Sequence, residues 1–420
     1  MTKSSTPPWL ILVLASIAIA GNYYAYDAIG PVADLLRTQR GLSQTDIGLL
    51  NAVYSLPNIP LALVGGLIID RLGAARAAFG AAALCFLGAL LTAIGEPYAV
   101  MVTGRLIFGV GEATLLIALL AALAQWFSFG AAALAMSLFF SLARVGSYMA
   151  DISPLWAAPL YDQGWQPPLM LAAALTGVSL IAAFVLMVFD RGKTRIVNVE
   201  RKAEPIKLSA LVGFSRSFWY ILGLNVLFAS VFFPFRSTFA IVYFQDAKNL
   251  SLADAGLLNS WVFFAAIFAT PLFGFAADRF GHRTLMLTMG ALLMPVTFFI
   301  LGGTDLSLWI STVLMGISFS VIPAVIWPAT AMLVEPKRLG TAFGLINVLQ
   351  NLGLFACNYL AGWLNDANNA GAANPSGYGP MLQMFGLLSL LGLFSTLALW
   401  WRERGPHAQG LDRRVKVEPA

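Results

Sequence analysis

The chain is a succession of long apolar runs broken by short polar stretches, and the runs are continuous rather than alternating. Runs able to cross ~30 Å of hydrocarbon as helices of ~20 residues lie near 9–36, 44–69, 75–95, 97–124, 131–157, 167–189, 217–245, 252–277, 284–303, 307–333, 339–364 and 379–401. The pattern predicts an all-α membrane protein with twelve transmembrane helices. Six fall on each side of a polar, basic stretch. The expected organisation is an N-terminal six-helix bundle over 1–189, a cytoplasmic linker over 190–216, a C-terminal six-helix bundle over 217–402 and a cytoplasmic tail over 403–420. The linker reads as a solvated tether, or in part as an amphipathic helix on the membrane surface.

A repeat relates the halves. Leu42-Ser43, Asp46, Gly48-Leu49-Leu50-Asn51, Gly66, Asp70-Arg71 and Gly73 recur 208 positions later as Leu250-Ser251, Asp254, Gly256-Leu257-Leu258-Asn259, Gly274, Asp278-Arg279 and Gly281. A gapless register over this length marks a duplicated unit, a common construction of membrane transporters. The expected fold is two pseudo-symmetric six-helix bundles.

Composition and charge narrow the picture. Hydrophobic residues form 59% of the 420 and charged residues 11%, which excludes a soluble globular domain. Most of the 25 Lys and Arg residues lie on one set of loops, including Arg71, Arg76, the run from Arg191 to Arg216, Arg279, Arg283, Lys337, Arg338 and the tail. Positive residues flanking spans stay on the cytoplasmic side, so both termini and the linker are expected there. The basic excess thus reports topology and gives no reason to expect a nucleic-acid partner. Ala18-Ile19-Ala20 after an apolar run imitates a signal-peptide cleavage site, but cleavage there would destroy the first span and its partnership with the seventh. Cys85 and Cys357 lie in different spans, so no disulfide framework, metal site or cofactor is expected.

In both copies the repeated Asp and Arg sit at one end of the second span of a half. There Asp70 would face the positive start of the eleventh span near Leu339, and Asp278 the start of the fifth near Ala131. Such contacts would close one side of the membrane in one conformation and break in the other; plain anchoring at the membrane edge is the alternative. The Gly-x-x-x-Asp-Arg-x-Gly element in both halves, with Arg105-x-x-x-Gly109-x-Gly111 in the fourth span, resembles the major facilitator superfamily over the whole chain. The first copy departs by carrying Ala74-Ala75 before Arg76. The resemblance implies gating roles for Asp70, Arg71, Arg105, Asp278 and Arg279.

Charges at membrane depth are costly and are functional candidates. Glu112 lies fifteen residues from Pro97, about 22 Å along its helix, and Arg144 thirteen from Ala131, about 20 Å from the opposite surface. The two therefore reach a similar level, as a substrate clamp or as a pair that only neutralises itself. Arg105 reads as a structural or relay residue. Asp27, after Tyr23, Tyr24 and Tyr26, reads as a substrate or proton contact or as a helix-end cap, and Arg236 as a residue snorkelling to the outer interface. Asn347, Gln350, Asn351 and Trp327 suggest a polar, aromatic wall in the second half, with helix gluing and core packing as the plainer readings.

Particular phrases look like one branch of the superfamily, the lysosomal dipeptide uniporters. They are Tyr26-Asp27, Tyr54-Ser55-Leu56-Pro57-Asn58, Gly109-Val110-Gly111-Glu112, Ala143-Arg144-Val145-Gly146-Ser147, Phe233-Pro234-Phe235, Trp327-Pro328 and Gln350-Asn351-Leu352-Gly353. The resemblance implies that Glu112 receives the ammonium of a dipeptide and Arg144 its carboxylate; Tyr26, Asp27, Tyr54, Trp327 and Asn351 are the further candidates for the substrate site. A dipeptide spans at most ~7 Å, a length that a carboxylate and a guanidinium on adjacent helices suit. No acidic dileucine sorting signal is present, so a bacterial-type inner membrane is expected. The expected partners are the bilayer and a small-molecule substrate, with or without a coupled proton, for a chain acting as a monomer. Alternatives are an organic anion:cation symporter, which shares Gly111-Glu112-Ala113 and Trp126-Phe127, a metabolite or drug exporter, and a receptor-like protein that no longer transports. No enzyme is expected, because Gly109-x-Gly111 lies inside a span with no phosphate-loop lysine.

Overall fold

A computed structural model describes residues 7–127, 129–190, 213–304, 306–335 and 338–413. Twelve helical spans cross the described chain. The first runs as Pro8–Asp27 and Ile29–Arg40, the second as Gln44–Val53 and Asn58–Leu72, and the third and fourth are Ala74–Ile94 and Tyr98–Trp126. The fifth is Phe129–Asp151 followed by the short Ser153–Trp156, and the sixth is Gln166–Asp190. The seventh is Arg216–Pro234, a π-helical turn Phe235–Phe239 and Ala240–Lys248. Leu252–Phe280, Arg283–Gly303, Leu308–Leu333, Leu339–Ala367 and Gly379–Arg404 follow as the eighth to twelfth. Ten of the spans satisfy the length and apolarity of a membrane crossing; the second and fifth are the other two.

Each half packs around its own core. Residues such as Ile11, Ala78, Phe108, Leu119 and Leu169 form one cluster and Phe232, Val262, Leu287, Phe319 and Phe385 another. Both ends of the described chain lie on one face, called here the terminal face, and the opposite one the distal face. The expected linker falls largely outside the described residues, as do 414–420 of the tail. The described part of the tail folds back on the ninth span: Thr284 N–H and Oγ1 donate to Asp412 at 2.8 and 2.6 Å, and buried Arg283 donates to Leu411 O and Arg413 O.

The interruptions have local causes. Pro57 supplies no N–H to the second span, which unwinds over Tyr54–Pro57. Pro234 precedes the π turn of the seventh span, a widening that commonly marks a functional position. Ser43 and Asp46 form a capping box that starts the second span, and in the second copy Ser251 caps the eighth through the Asp254 N–H. The first part of the repeat therefore encodes helix starts on the distal face.

Polar bonds between the halves concentrate on that face. The Asp366 carboxylate, from the eleventh span, accepts the backbone N–H groups of Gln44 and Thr45 at 2.9 and 2.7 Å. It thereby caps the second span from the opposite half. Asn365 donates to Gln44 Oε1 at 2.9 Å and Arg37 pairs with Asp246 at 2.7 Å. A Cβ on Gly48 would collide with the backbone carbonyl of Asn358, and one on Gly256 with that of Asp151. These two equivalent glycines let the second span cross the eleventh, and the eighth cross the fifth, at backbone contact.

Candidate functional site

A cavity of about 520 Å³ lies between the halves. It extends from Asn22, Asp27 and Ser147 to Phe343, Gly344 and Gly340 at the terminal-face start of the eleventh span. The distal network roofs it and the terminal side is open.

Glycines set one wall. Gly104 and Gly111 of the fourth span meet the third span at backbone distance, and Gly109 meets the carbonyl of Tyr54. That approach brings the unwound Tyr54 against the fourth span, where its hydroxyl donates to Glu112 Oε2 at 2.5 Å. Beneath them Arg105 is buried and donates to the carbonyls of Leu50, Ala25 and Tyr26 and to the side chain of Asn51. Its guanidinium also faces the rings of Tyr26, Tyr54 and Phe108 at 5.4–5.8 Å. Arg105 thus braces the first, second and fourth spans and holds Tyr26 and Tyr54 in place, away from the terminal-face motif with which its gating role was grouped.

Arg144 reaches the same cavity from the fifth span. Its guanidinium stands 5.2 Å from the Tyr23 ring, 5.0 Å from Phe263 and 4.9 Å from Phe319. Among the described residues it makes no ion pair, and the self-neutralising pair with Glu112 is not formed. The cavity therefore holds a carboxylate fixed by a tyrosine and a guanidinium cradled by aromatic faces but without a protein counter-ion. That arrangement can receive a ligand carrying both an ammonium and a carboxylate.

Asp27 sits at the roof. Arg236 donates to Asp27 Oδ1 at 2.8 Å and also to Asp151, while Asn259 donates to Asp151 Oδ1 at 3.2 Å. Arg236 is 1% exposed and lies 3.7 Å from the Phe263 ring. The expectation that Arg236 snorkels to the outer interface is thus corrected: it points inward from the π turn because two carboxylates of the other half receive it. Asp151 is not among the residues the sequence singles out, and Asn259 stands there only as part of the repeat, with no role assigned. The 208-residue correspondence of Asn51 and Asn259 was a usable signal, since both donate into the seventh span, Asn51 to Thr238 and Asn259 to the Arg236 carbonyl.

Trp327 and Asn351 line the facing wall with Asn347, Gln350 and Phe343. Asp70, Arg71 and Arg279 are exposed on the terminal face without ion pairs among the described residues. Asp278 pairs with Arg283 of its own half at 2.9 Å. Among the described residues Asp70 makes no hydrogen bond or ion pair with the eleventh span, and the side chains at the start of the fifth span near Ala131, expected to face Asp278, lie outside the described residues.

The family model for the Major Facilitator Superfamily matches residues 15–244 and 226–419. A lysosomal dipeptide transporter, MFSD1 of Danio rerio, is 30% identical over 371 residues, covering 85% of this chain and 80% of the relative. A probable sulfoacetate transporter, SauU of Cupriavidus necator, is 22% identical over 346 residues, covering 76% and 78%. The crystal structure of the nucleoside transporter NupG superposes with a TM-score of 0.77 at 12% identity, covering 93% of this chain and all of that one, a likeness of fold. With a family model spanning both halves, the chain belongs to the Major Facilitator Superfamily and is a multi-pass membrane transporter of a small molecule, not an enzyme.

Proposed function

We propose that this transporter moves dipeptides by alternating access, with the substrate ammonium on Glu112 and its carboxylate on Arg144. The observation that carries the reading is the pair of opposite charges in one cavity, each held by aromatic side chains and neither neutralised by the other. Tyr54 positions Glu112, Tyr26 and Asp27 border the site, and Asn351 and Trp327 face it from the second half. The 30% identity to a dipeptide transporter over most of both chains supports the same substrate class.

The charge distribution supports cytoplasmic termini in a bacterial-type inner membrane, which makes the present conformation inward-open. Asp70 and Asp278, with Arg71 and Arg279, then form the inner gate. They engage the opposite half when the substrate site faces outward. The chain acts as a monomer, since both walls of the cavity come from it.

A second reading, an organic anion:proton symporter, is favoured by the unpaired Arg144 and by the similarity to a probable sulfoacetate transporter. Uptake into proteoliposomes separates the two. Dipeptide accumulation to equilibrium without a pH gradient supports the first, and uptake of small carboxylates only under an inward proton gradient overturns it.

A further inference from the structure

The segment after the twelfth span is built into the second half. Glu403, in the last turn of that span, accepts the N–H groups of Gln409, Gly410 and Leu411 at 3.0–3.2 Å and the Ser217 hydroxyl at 3.2 Å. The turn held in this way places Leu411, fully buried, in the second-half core and Asp412 at the start of the ninth span. There the Asp412 carboxylate accepts from Thr284 N–H and Oγ1, and it caps a helix whose preceding residue, His282, makes no side-chain cap of its own. The Asp412 carbonyl accepts the His282 N–H at 3.3 Å, and a Cβ on Gly281 would collide with that oxygen. Residues 405–413 therefore lie as a strap across the turn that carries Asp278 and Arg279.

Arg283 links the strap to the gate. Its Nη1 donates to Leu411 O and Arg413 O at 3.1 and 3.0 Å, and its Nη2 donates to Asp278 Oδ1 at 2.9 Å. Two strap carbonyls thus fix the plane of a buried guanidinium, and the guanidinium fixes one oxygen of Asp278. The Asp278 side chain is 64% exposed, and its Oδ2 accepts no bond among the described residues. The first half is built differently. Ala75 stands 208 positions before Arg283, a Cβ on Gly73 would meet nothing within 4 Å, and Asp70 makes no ion pair among the described residues. The two copies of the repeat therefore part company where the strap docks.

We propose that Leu411 and Asp412 are positioning residues of the inner gate: the strap holds Arg283, and Arg283 aims the Asp278 carboxylate at the opposite half. This rests on the gating reading of Asp278 above and makes the two arms of the gate unequal, since Asp70 works without a strap. Every bond named here lies within the second half, so the strap travels with that half and acts through Asp278 rather than by tying the halves together.

The test is the rate at which a charged methanethiosulfonate added on the distal side modifies a cysteine at Tyr26, in a background without Cys85 and Cys357. Tyr26 lines the cavity, so this rate follows the population whose terminal side is closed and distal side open. Asp412→Ala removes a helix cap and lowers the rate about three- to tenfold. Asp412→Asn keeps an acceptor for the Thr284 N–H and lowers it less. The rate from the terminal side stays within about twofold, which reports an intact cavity; where Asp412→Ala fails that control, Asp412→Asn carries the comparison. Asp278→Asn alone also lowers the distal rate. In that background Asp412→Ala adds less than about 1.5-fold, whereas in an Asp70→Asn background it keeps its full effect. An unchanged rate in Asp412→Ala, or an undiminished effect in the Asp278→Asn background, overturns the positioning role and leaves the gate standing. An unchanged rate in Asp278→Asn by itself removes Asp278 from the gate, and the positioning role falls with it.

Discussion

Arg236 and Asp27 are 209 residues apart in the chain and 2.8 Å apart in the fold. The same separation joins Arg37 to Asp246 at 2.7 Å with the charges exchanged. Near-equivalent positions of the duplicated halves thus carry opposite charges, so the pseudo-symmetry axis draws the first and seventh spans together on the distal face. The centre of this seal is Arg236 between Asp27 and Asp151.

Removing the shared guanidinium leaves two buried carboxylates without a countercharge. Arg236→Gln should destabilise the distal-closed conformation by about 3–5 kcal/mol and shift the population toward distal-open. Spin labels at Gln163 and Ser376, exposed on opposite halves of the distal face, would report a longer mean distance. An unchanged distribution would remove Arg236 from the seal.

Gly48→Ala tests closure by backbone contact. Alanine favours a helix by about 1 kcal/mol in either conformation, whereas its Cβ meets the Asn358 carbonyl only when the second and eleventh spans are closed. Overpacking of this kind costs about 1–3 kcal/mol. A cysteine at Tyr26, in a background without Cys85 and Cys357, should react faster with an impermeant reagent added on the distal side.

Tyr54→Phe removes the hydroxyl that holds Glu112 and leaves the ring. Substrate affinity should fall by roughly one to two orders of magnitude, in keeping with one hydrogen bond to a charged group, while thermal stability changes little. Complete loss of binding would mean that Tyr54 itself carries the ligand.

Arg105→Lys keeps the charge but not the fork. Each acceptor it abandons among the Leu50, Ala25 and Tyr26 carbonyls and Asn51 costs about 1–3 kcal/mol if left unsatisfied. The melting temperature in detergent should drop well before binding selectivity alters. A stable variant with lost transport would instead support a relay role.

Continuous apolarity made the twelve spans legible, and the 208-residue register made the duplication legible. What each repeated residue does was only half legible. Asp70 and Asp278 read as a gate, whereas Ser43, Gly48 and Asn51 with their equivalents Ser251, Gly256 and Asn259 turn out to start helices and join the halves distally. In a membrane span lipid-facing and buried positions are both apolar, so periodicity does not say which face meets the other half. For that reason Asp151, inside the expected fifth span, escapes notice in the sequence, and Arg236 reads there as an interfacial residue. Glu112 and Arg144 stood out because charge at that depth is expensive whatever face it occupies.

The most direct test of the central claim assigns each end of the ligand to its residue. Binding of a dipeptide, its N-acetyl form and its C-terminal amide is measured to wild type, Glu112→Gln and Arg144→Gln. Wild type should bind the free dipeptide and lose about tenfold or more for each blocked form. Glu112→Gln should no longer distinguish the N-acetyl form, and Arg144→Gln should no longer distinguish the amide. Wild-type affinity in either variant, or a loss of discrimination at the wrong end, would contradict the account.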